Sequence, residues 1–369
     1  MHYPARRTLR PEDARRSNRA LVLQAISNDS HLARADIARA TGLTKVTVSD
    51  LVAELIGADL VHETGPSEAS RPGKPSTILG FNASARDVLA MDLSAASDQF
   101  RGAVLSLTGE VLLTRDRTLN GAVGAAAVEQ AKDLARELAD AATHPILGLG
   151  VGTPGTVDAS GTVLSAPGLR WRDVPLELTL AETLDFPVHV ENDANLAVLA
   201  ERRFAGGPDN LLRVRLSRGV GAGLLVGGAL VQGVASDGGE IGHVVIDDTG
   251  DPCDCGKAGC LESWISVPAL TRRIELDPGR REIILAEAGH RLGLALSPVV
   301  GMLGLQQIII GGPQDLVAGP LVTATRTCVT ERTRSEFRPE LDIATSTLGT
   351  DAVLLGAAAL ILLRELGLA

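Results

Sequence analysis

The residues best suited to chemistry lie between Glu240 and Glu262. Cys253, Cys255 and Cys260 are three of only four cysteines in the chain; they fall within eight residues, and His243 stands ten positions before the first. Three thiolates and an imidazole are the donors a closed tetrahedral zinc site requires, and Gly256 and Gly259 permit the tight turns of a metal knuckle. Clustered thiols in a reducing compartment point to metal or redox chemistry rather than to disulfides. Glu240 and Glu262 flank the cluster, so a folded knuckle would also present two carboxylates to a neighbouring cleft. Cys328, isolated from the rest, reads as a small buried apolar side chain.

A second candidate is Asn192-Asp193, which follows the run Pro187-Val188-His189-Val190-Glu191. A carboxylate there could accept a hydroxyl proton. From the residues alone, an Asn-Asp pair at a strand end more often describes a turn than a base.

The elements that would position these groups follow from hydrophobic spacing. Residues 1–82 suggest helices over about Arg15–Asn28 and Arg34–Thr41, with Gly42 as the turn. Thr44 is suited to cap a third helix, in which Val48, Leu51, Val52, Leu55 and Ile56 make one apolar stripe. Thr44, Lys45 and Thr47 then face outward at its start, as in a helix-turn-helix that reads DNA. Two short strands, Leu60–Glu63 and Thr77–Phe81, flank a loop rich in turn formers. Arg71 and Lys74 in that loop make the basic tip of a wing. Beyond residue 82, strands at Val88–Leu93, Gly102–Leu107, Val111–Leu113 and Ile146–Val151 mix with a helix over about 124–142, which indicates an α/β class.

Composition sets the limits. At 369 residues the chain exceeds one ordinary core, so two or three domains are expected. The net charge of −10 conceals an asymmetry: residues 1–82 hold 11 Lys and Arg against 9 Asp and Glu, whereas the remainder holds 24 against 36. Contact with nucleic acid is therefore assigned to the first segment. The amino terminus carries no apolar run of a secretory signal, and the apolar stretch near Ala352–Leu363 is too short to span a bilayer. A cytoplasmic location and no membrane partner are expected.

Taken together, Gly239-Glu240-Ile241-Gly242-His243, the Cys-x-Cys-Gly-x-x-Gly-Cys-x-Glu run ending at Glu262, Gly152-Thr153-Pro154-Gly155, Ala166-Pro167-Gly168-Leu169-Arg170-Trp171 and Glu191-Asn192-Asp193 resemble the ROK family of sugar kinases and sugar-responsive repressors. The resemblance implies an actin-like, ribonuclease-H-like fold of two α/β lobes after a winged helix-turn-helix domain. The winged domain is expected over 1–82, the first lobe over 83–191 with 350–369, and the second over 192–349. It implies that Asn192, Asp193, Glu240, His243 and Glu262 converge on one monosaccharide, and that His243, Cys253, Cys255 and Cys260 hold a structural Zn2+. Asp193 would be the general base of a kinase. One departure is Gly168, where many members carry Asn.

The choice between kinase and repressor rests on the phosphate loops. ROK kinases open with Asp-x-Gly-Gly-Thr, whose glycines admit ATP phosphates to backbone amides. Here the run is Asp92-Leu93-Ser94-Ala95-Ala96-Ser97, and the second loop reads Ser217-Arg218-Gly219-Val220-Gly221-Ala222-Gly223, without its opening Gly-Thr. The expected protein is a non-enzymatic regulator, binding operator DNA and a monosaccharide effector as a homodimer or homotetramer. The alternatives are an ATP-dependent sugar kinase and a regulator controlled by a partner protein.

Overall fold

The amino-terminal helices form where the 3.6-residue pattern places them. In the computed structural model, which describes residues 11–66, 77–94, 98–333 and 341–369, they are α1 (Pro11–Asn28), α2 (Arg34–Thr41) and α3 (Lys45–Gly57). α1 starts earlier than its apolar spacing suggests, because Pro11 suits a first helical position and Glu12 and Asp13 favour the positive end of the helix dipole. Gly42 closes α2 at a φ of 73°. The Thr44 hydroxyl caps α3 by accepting from Thr47 N–H at 3.1 Å. Val48, Leu51, Val52 and Leu55 are buried, but Ile56 is 37% exposed: it lies at the edge of the stripe, turned past the core. β1 (Val61–Pro66) and β2 (Thr77–Phe81) pair antiparallel. The wing tip with Arg71 and Lys74 lies outside the described residues.

The first lobe contains β3 (Asp87–Asp92), β4 (Gln99–Leu105), β5 (Val111–Thr118), α4 (Ala125–Ala141) and β6 (Ile146–Thr153). It continues through a small sheet, β7 (Thr156–Val157), β8 (Val163–Ala166) and β9 (Trp171–Val174), to α5 (Leu176–Ala181) and β10 (Val188–Asn192). After α6 (Asp193–Phe204) come β11 (Leu211–Leu216), β12 (Val220–Val226) and β13 (Ala229–Leu230), then α7 (Leu261–Ile265), α8 (Val267–Leu276) and α9 (Arg281–Leu303). The remainder is β14 (Gln307–Gly311), α10 (Gln314–Val317), α11 (Pro320–Thr333), β15 (Asp342–Thr345) and α12 (Ala352–Ile361).

The two large sheets share one topology. Their orders, β10-β6-β3-β4-β5 and β13-β12-β11-β14-β15, become the same when each sheet's strands are counted from its first. In each, three strands run parallel and two add antiparallel at one edge. This duplication is the actin-like architecture the resemblance implied.

The helices between the sheets pack at backbone distance, and the sequence provides for it. β6 has glycine at every second position, so one face of the strand is bare. A Cβ on Gly150 would come within 2.3 Å of Ala357 O, and those on Gly148 and Gly152 would strike Ile361 and Val353. Those three α12 residues are spaced four apart, one helical stripe laid along one strand face. α12 also presses on α6, where a Cβ on Gly356 would meet Leu196 O at 1.9 Å. One apolar cluster runs from Val22, Ile26, Leu51 and Leu55 through Leu105 and Leu196 to Leu360 and Leu362, so the helix-turn-helix core is continuous with the core around α6 and α12. The segment Pro278–Leu303 is long and apolar enough to cross a membrane, but half of it is buried and α9 packs along α11.

Candidate functional site

A cavity of about 480 Å³ opens between the two sheets, at the carboxyl ends of β3 and β10 and beside the β11–β12 turn. This is where open α/β folds place ligands, and the volume falls within the usual range of about 300–1,000 Å³. Asn192, Asp193, Glu240, His243 and Glu262 all line it. The residues anticipated from sequence are therefore brought to one place.

Each is held by its local structure. Asn192 caps α6: its Oδ1 accepts from Ala194 N–H at 2.8 Å and Asn195 N–H at 3.1 Å, and its Nδ2 donates to Gly155 O at 2.8 Å. At most one of its N–H groups remains for a ligand. Gly155 adopts a φ of 83°, and a Cβ there would lie 1.9 Å from Ser165 O, so this turn admits only glycine. Asp193 is buried at the first position of α6. Burial pushes its carboxyl above the usual range, Arg215 pulls it back, and Asp92 pushes it further up. Glu262 Oε2 accepts from Val220 N–H at 2.9 Å. Glu240 is driven up chiefly by partial burial; His243 opposes this, and Glu262, Asp237 and Asp193 add to it.

The cysteine cluster forms a single donor set. One donor atom each from His243, Cys253, Cys255 and Cys260 lies within 4.8 Å of the others. Cys253 Sγ is 3.5 Å from His243 Nδ1 and Cys255 Sγ is 3.6 Å from Cys260 Sγ. The edge of a tetrahedron with 2.3 Å metal–sulfur bonds is about 3.8 Å, so the donors fit a tetrahedral ion. His243 turns Nδ1 to the sulfurs and Nε2 toward Glu240, 3.8 Å from its Oε2. Cys260 is the residue before α7, so the last donor also places Glu262.

Sequence reasoning missed two groups in the cavity. Asn195 lies two residues beyond Asp193; its Nδ2 donates to Glu191 Oε1 at 3.0 Å, while its buried Oδ1 has no hydrogen-bond partner among the described residues. That oxygen is shut off from solvent although the residue lines the cavity, and such an acceptor needs a donor. Arg215, on β11, donates from Nη1 to Asp193 Oδ2 at 2.8 Å and Ser217 Oγ at 3.1 Å, and from Nη2 to Ser94 Oγ at 3.2 Å. The alternation of Arg213 and Arg215 along a strand was its only signal, since an arginine on a buried face needs a carboxylate opposite.

The phosphate-loop remnants have other employment. A Cβ on Gly223 would strike Ala194 O at 2.4 Å, and one on Gly219 would come within 2.6 Å of Glu262 Oε2. Backbone packing alone therefore requires glycine at 223, whereas at 219 an added side chain would displace the Glu262 carboxylate. A Cβ on Gly168 would meet only Arg218 Nη1, at 3.7 Å, so this corner is left open by choice of residue and not by crowding. Of the first loop, Ala95, Ala96 and Ser97 lie outside the described residues, and Ser94 N–H donates to Asp92 Oδ1 at 2.9 Å.

Two lobes of one topology, closing on a polar cavity beside a His/Cys cluster, define the actin-like class of two-lobed α/β proteins. The chain belongs to the ROK family, whose model matches residues 93–364. It is 28% identical over 371 residues to the xylose repressor of Bacillus subtilis (strain 168), covering 94% of each protein. It is 30% identical over 255 residues to the glucokinase of Halalkalibacterium halodurans, covering 60% of this chain and 77% of that one. Among solved structures it resembles a ROK family transcriptional regulator, a homologue of the E. coli MLC protein, with a TM-score of 0.82 at 24% identity over 96% of this chain and 98% of that one.

Proposed function

We propose that this protein is a transcriptional repressor that binds operator DNA through α1–α3 and the β1–β2 wing, and whose affinity for DNA is set by a monosaccharide in the interlobe cavity. The observation that carries this reading is the Arg215 guanidinium bound to Asp193. A general base must accept the sugar hydroxyl proton as phosphoryl transfer proceeds, and here the guanidinium occupies Asp193 Oδ2, an oxygen that would take it. With the glycines of the first phosphate loop also replaced, the cavity keeps the means to hold a sugar and lacks those to phosphorylate it. Similarity to the xylose repressor across both the helix-turn-helix and the lobes supports the same conclusion. Similarity to a glucokinase covers less of the chain and fits shared sugar recognition.

In this reading Asp193, Glu240, Glu262 and His243 Nε2 hydrogen-bond sugar hydroxyls. His243, Cys253, Cys255 and Cys260 would hold a structural zinc ion, which would fix the tautomer and tilt of His243. The domains divide as 1–82, 83–191 with 350–369, and 192–349. The helix-turn-helix acts as a symmetric homodimer or tetramer on paired half-sites, in the cytoplasm.

The test is thermal unfolding of the zinc-loaded protein across free monosaccharides, beginning with D-xylose and D-glucose, followed by operator titration. One sugar is expected to raise the unfolding midpoint and to change operator affinity by about 5–150-fold. Sugar-dependent ADP production abolished by Asp193→Asn would instead establish a kinase. Insensitivity to every sugar would point to a protein effector.

DNA contact by the start of α3 gives a second expectation. Lys45 is exposed at the first position of α3, and Thr44 and Thr47 bond one another through their hydroxyls at 2.9 Å. Lys45→Ala should weaken binding to all sequences and reduce the slope of log affinity against log salt by about one. An unchanged slope in a salt titration would remove Lys45 from the interface.

A further inference from the structure

The helix that opens in the cavity ends on the DNA-binding domain. α6 is capped by Asn192 and begins with Asp193; in its last turn, Arg203 Nη2 donates to Ser27 Oγ of α1 at 3.1 Å. Twelve residues span about 18 Å. Ser27 belongs to a stripe on α1 with Ala20 and Gln24, spaced four and three apart and so on one face. Gln24 Oε1 accepts from Ala369 N–H at 2.9 Å, and a Cβ on Gly367 would come within 2.5 Å of Ala20 Cβ. The stripe thus receives the end of α6 and the terminal segment that follows α12.

These helices have little room to repack. Gly356 of α12 touches Leu196 O of α6, and Gly223 of β12 touches Ala194 O, so a shift at the amino end of α6 moves the helix as a body. Arg203 is poorly accommodated where it meets α1: its Nε is buried with no hydrogen-bond partner among the described residues. A guanidinium so held responds strongly to small displacements. The loop after α3 is also tied to the first lobe, where Arg86 Nη2 donates to Ala58 O at 3.2 Å.

We propose that α6 carries the state of the cavity to the DNA-binding helices, with Arg203 as the positioning residue that grips α1. The proposal rests on the sensor reading above, and its test uses no sugar, so the two can fail separately. Hydrogen exchange of the full chain is followed in peptides covering Leu21–Asn28, with α4 as an internal control. Asn192→Ala removes the cap of α6 and should speed exchange in that part of α1 by about fivefold while α4 is unchanged. In an Arg203→Ala background, or in the milder Ser27→Ala, the same substitution should leave α1 exchange as it was. Non-additivity of this kind is the signature of coupling. Equal acceleration in both backgrounds, or acceleration confined to α6, overturns the proposal.

Discussion

Removal of the ion from His243, Cys253, Cys255 and Cys260 is expected to abolish sugar binding while leaving both large sheets folded. The cause lies in how the knuckle places its neighbours. Glu262 sits two residues beyond Cys260 in a helix of only five residues, too short to hold itself without tertiary support, and a bound ion would set the tilt of His243. The second sheet has its own core in Val214, Leu292, Ile308 and Ile310, which the knuckle segment joins through Ile241, Leu261 and the half-buried Ile246 while the cysteine donors other than Cys260 stay outside the buried interior. Stripping with EDTA should therefore reduce sugar affinity at least tenfold, about 1.4 kcal/mol, and lower the unfolding midpoint without loss of far-ultraviolet dichroism. The pH dependence has a definite sign. In the metal-free protein burial pushes the Cys260 thiol up to about 12 and raises Cys253 as well, whereas a backbone N–H brings Cys255 down to about 7. Metal binding must displace these protons, so affinity falls and stripping quickens as pH is lowered. Sugar binding that survives in metal-free protein, or a Cys260→Ser variant that retains one equivalent of zinc, would contradict this account.

Glu201→Ala should destabilise the protein by about 3–5 kcal/mol, the usual cost of orphaning one member of a buried ion pair. Glu201 Oε1 accepts from Arg213 Nε at 3.0 Å and from Ser346 Oγ at 2.6 Å, and the paired side chains are 4% and 3% exposed. Arg213 Nη1 already lacks a hydrogen-bond partner among the described residues. Burial lowers the Arg213 pKa and Glu201 holds it up, so deleting the carboxylate removes the main support of the cation. Glu201→Met combined with Arg213→Met should recover most of the loss, since two apolar side chains need no partner there. Urea unfolding of the three proteins decides the matter; a single-variant loss below about 1 kcal/mol would mean that water reaches the pair.

Much of this was legible in the chain because it depends on local order. Gly42, Thr44 and the stripe from Val48 to Leu55 specify helix, turn and helix through cap chemistry and 3.6-residue spacing. The donors from His243 to Cys260 lie so near in sequence that a short loop brings them together. Where spacing alone was the guide it blurred at the edges: α1 starts at Pro11, and Ile56 turns outward because the core is narrower than the apolar run. The motifs at Asn192, Asp193, Glu240 and Glu262 named the right residues through resemblance, whereas their shared cavity depends on two sheets meeting.

Only the tertiary structure decided the rest, because the partners are distant in sequence and none of them is distinctive alone. Arg215 gains meaning from Asp193 and Ser94, which lie on other elements. The glycines of the second phosphate loop read as vestiges of nucleotide binding until Ala194 and Glu262 are seen against them. The alternating glycines of β6 matter because α12, some two hundred residues later, lies on them. A local sequence can specify a cap, a turn or a metal knuckle, since each closes its own hydrogen bonds and coordination nearby; that α6 runs from the cavity to α1 is settled only when the chain has folded.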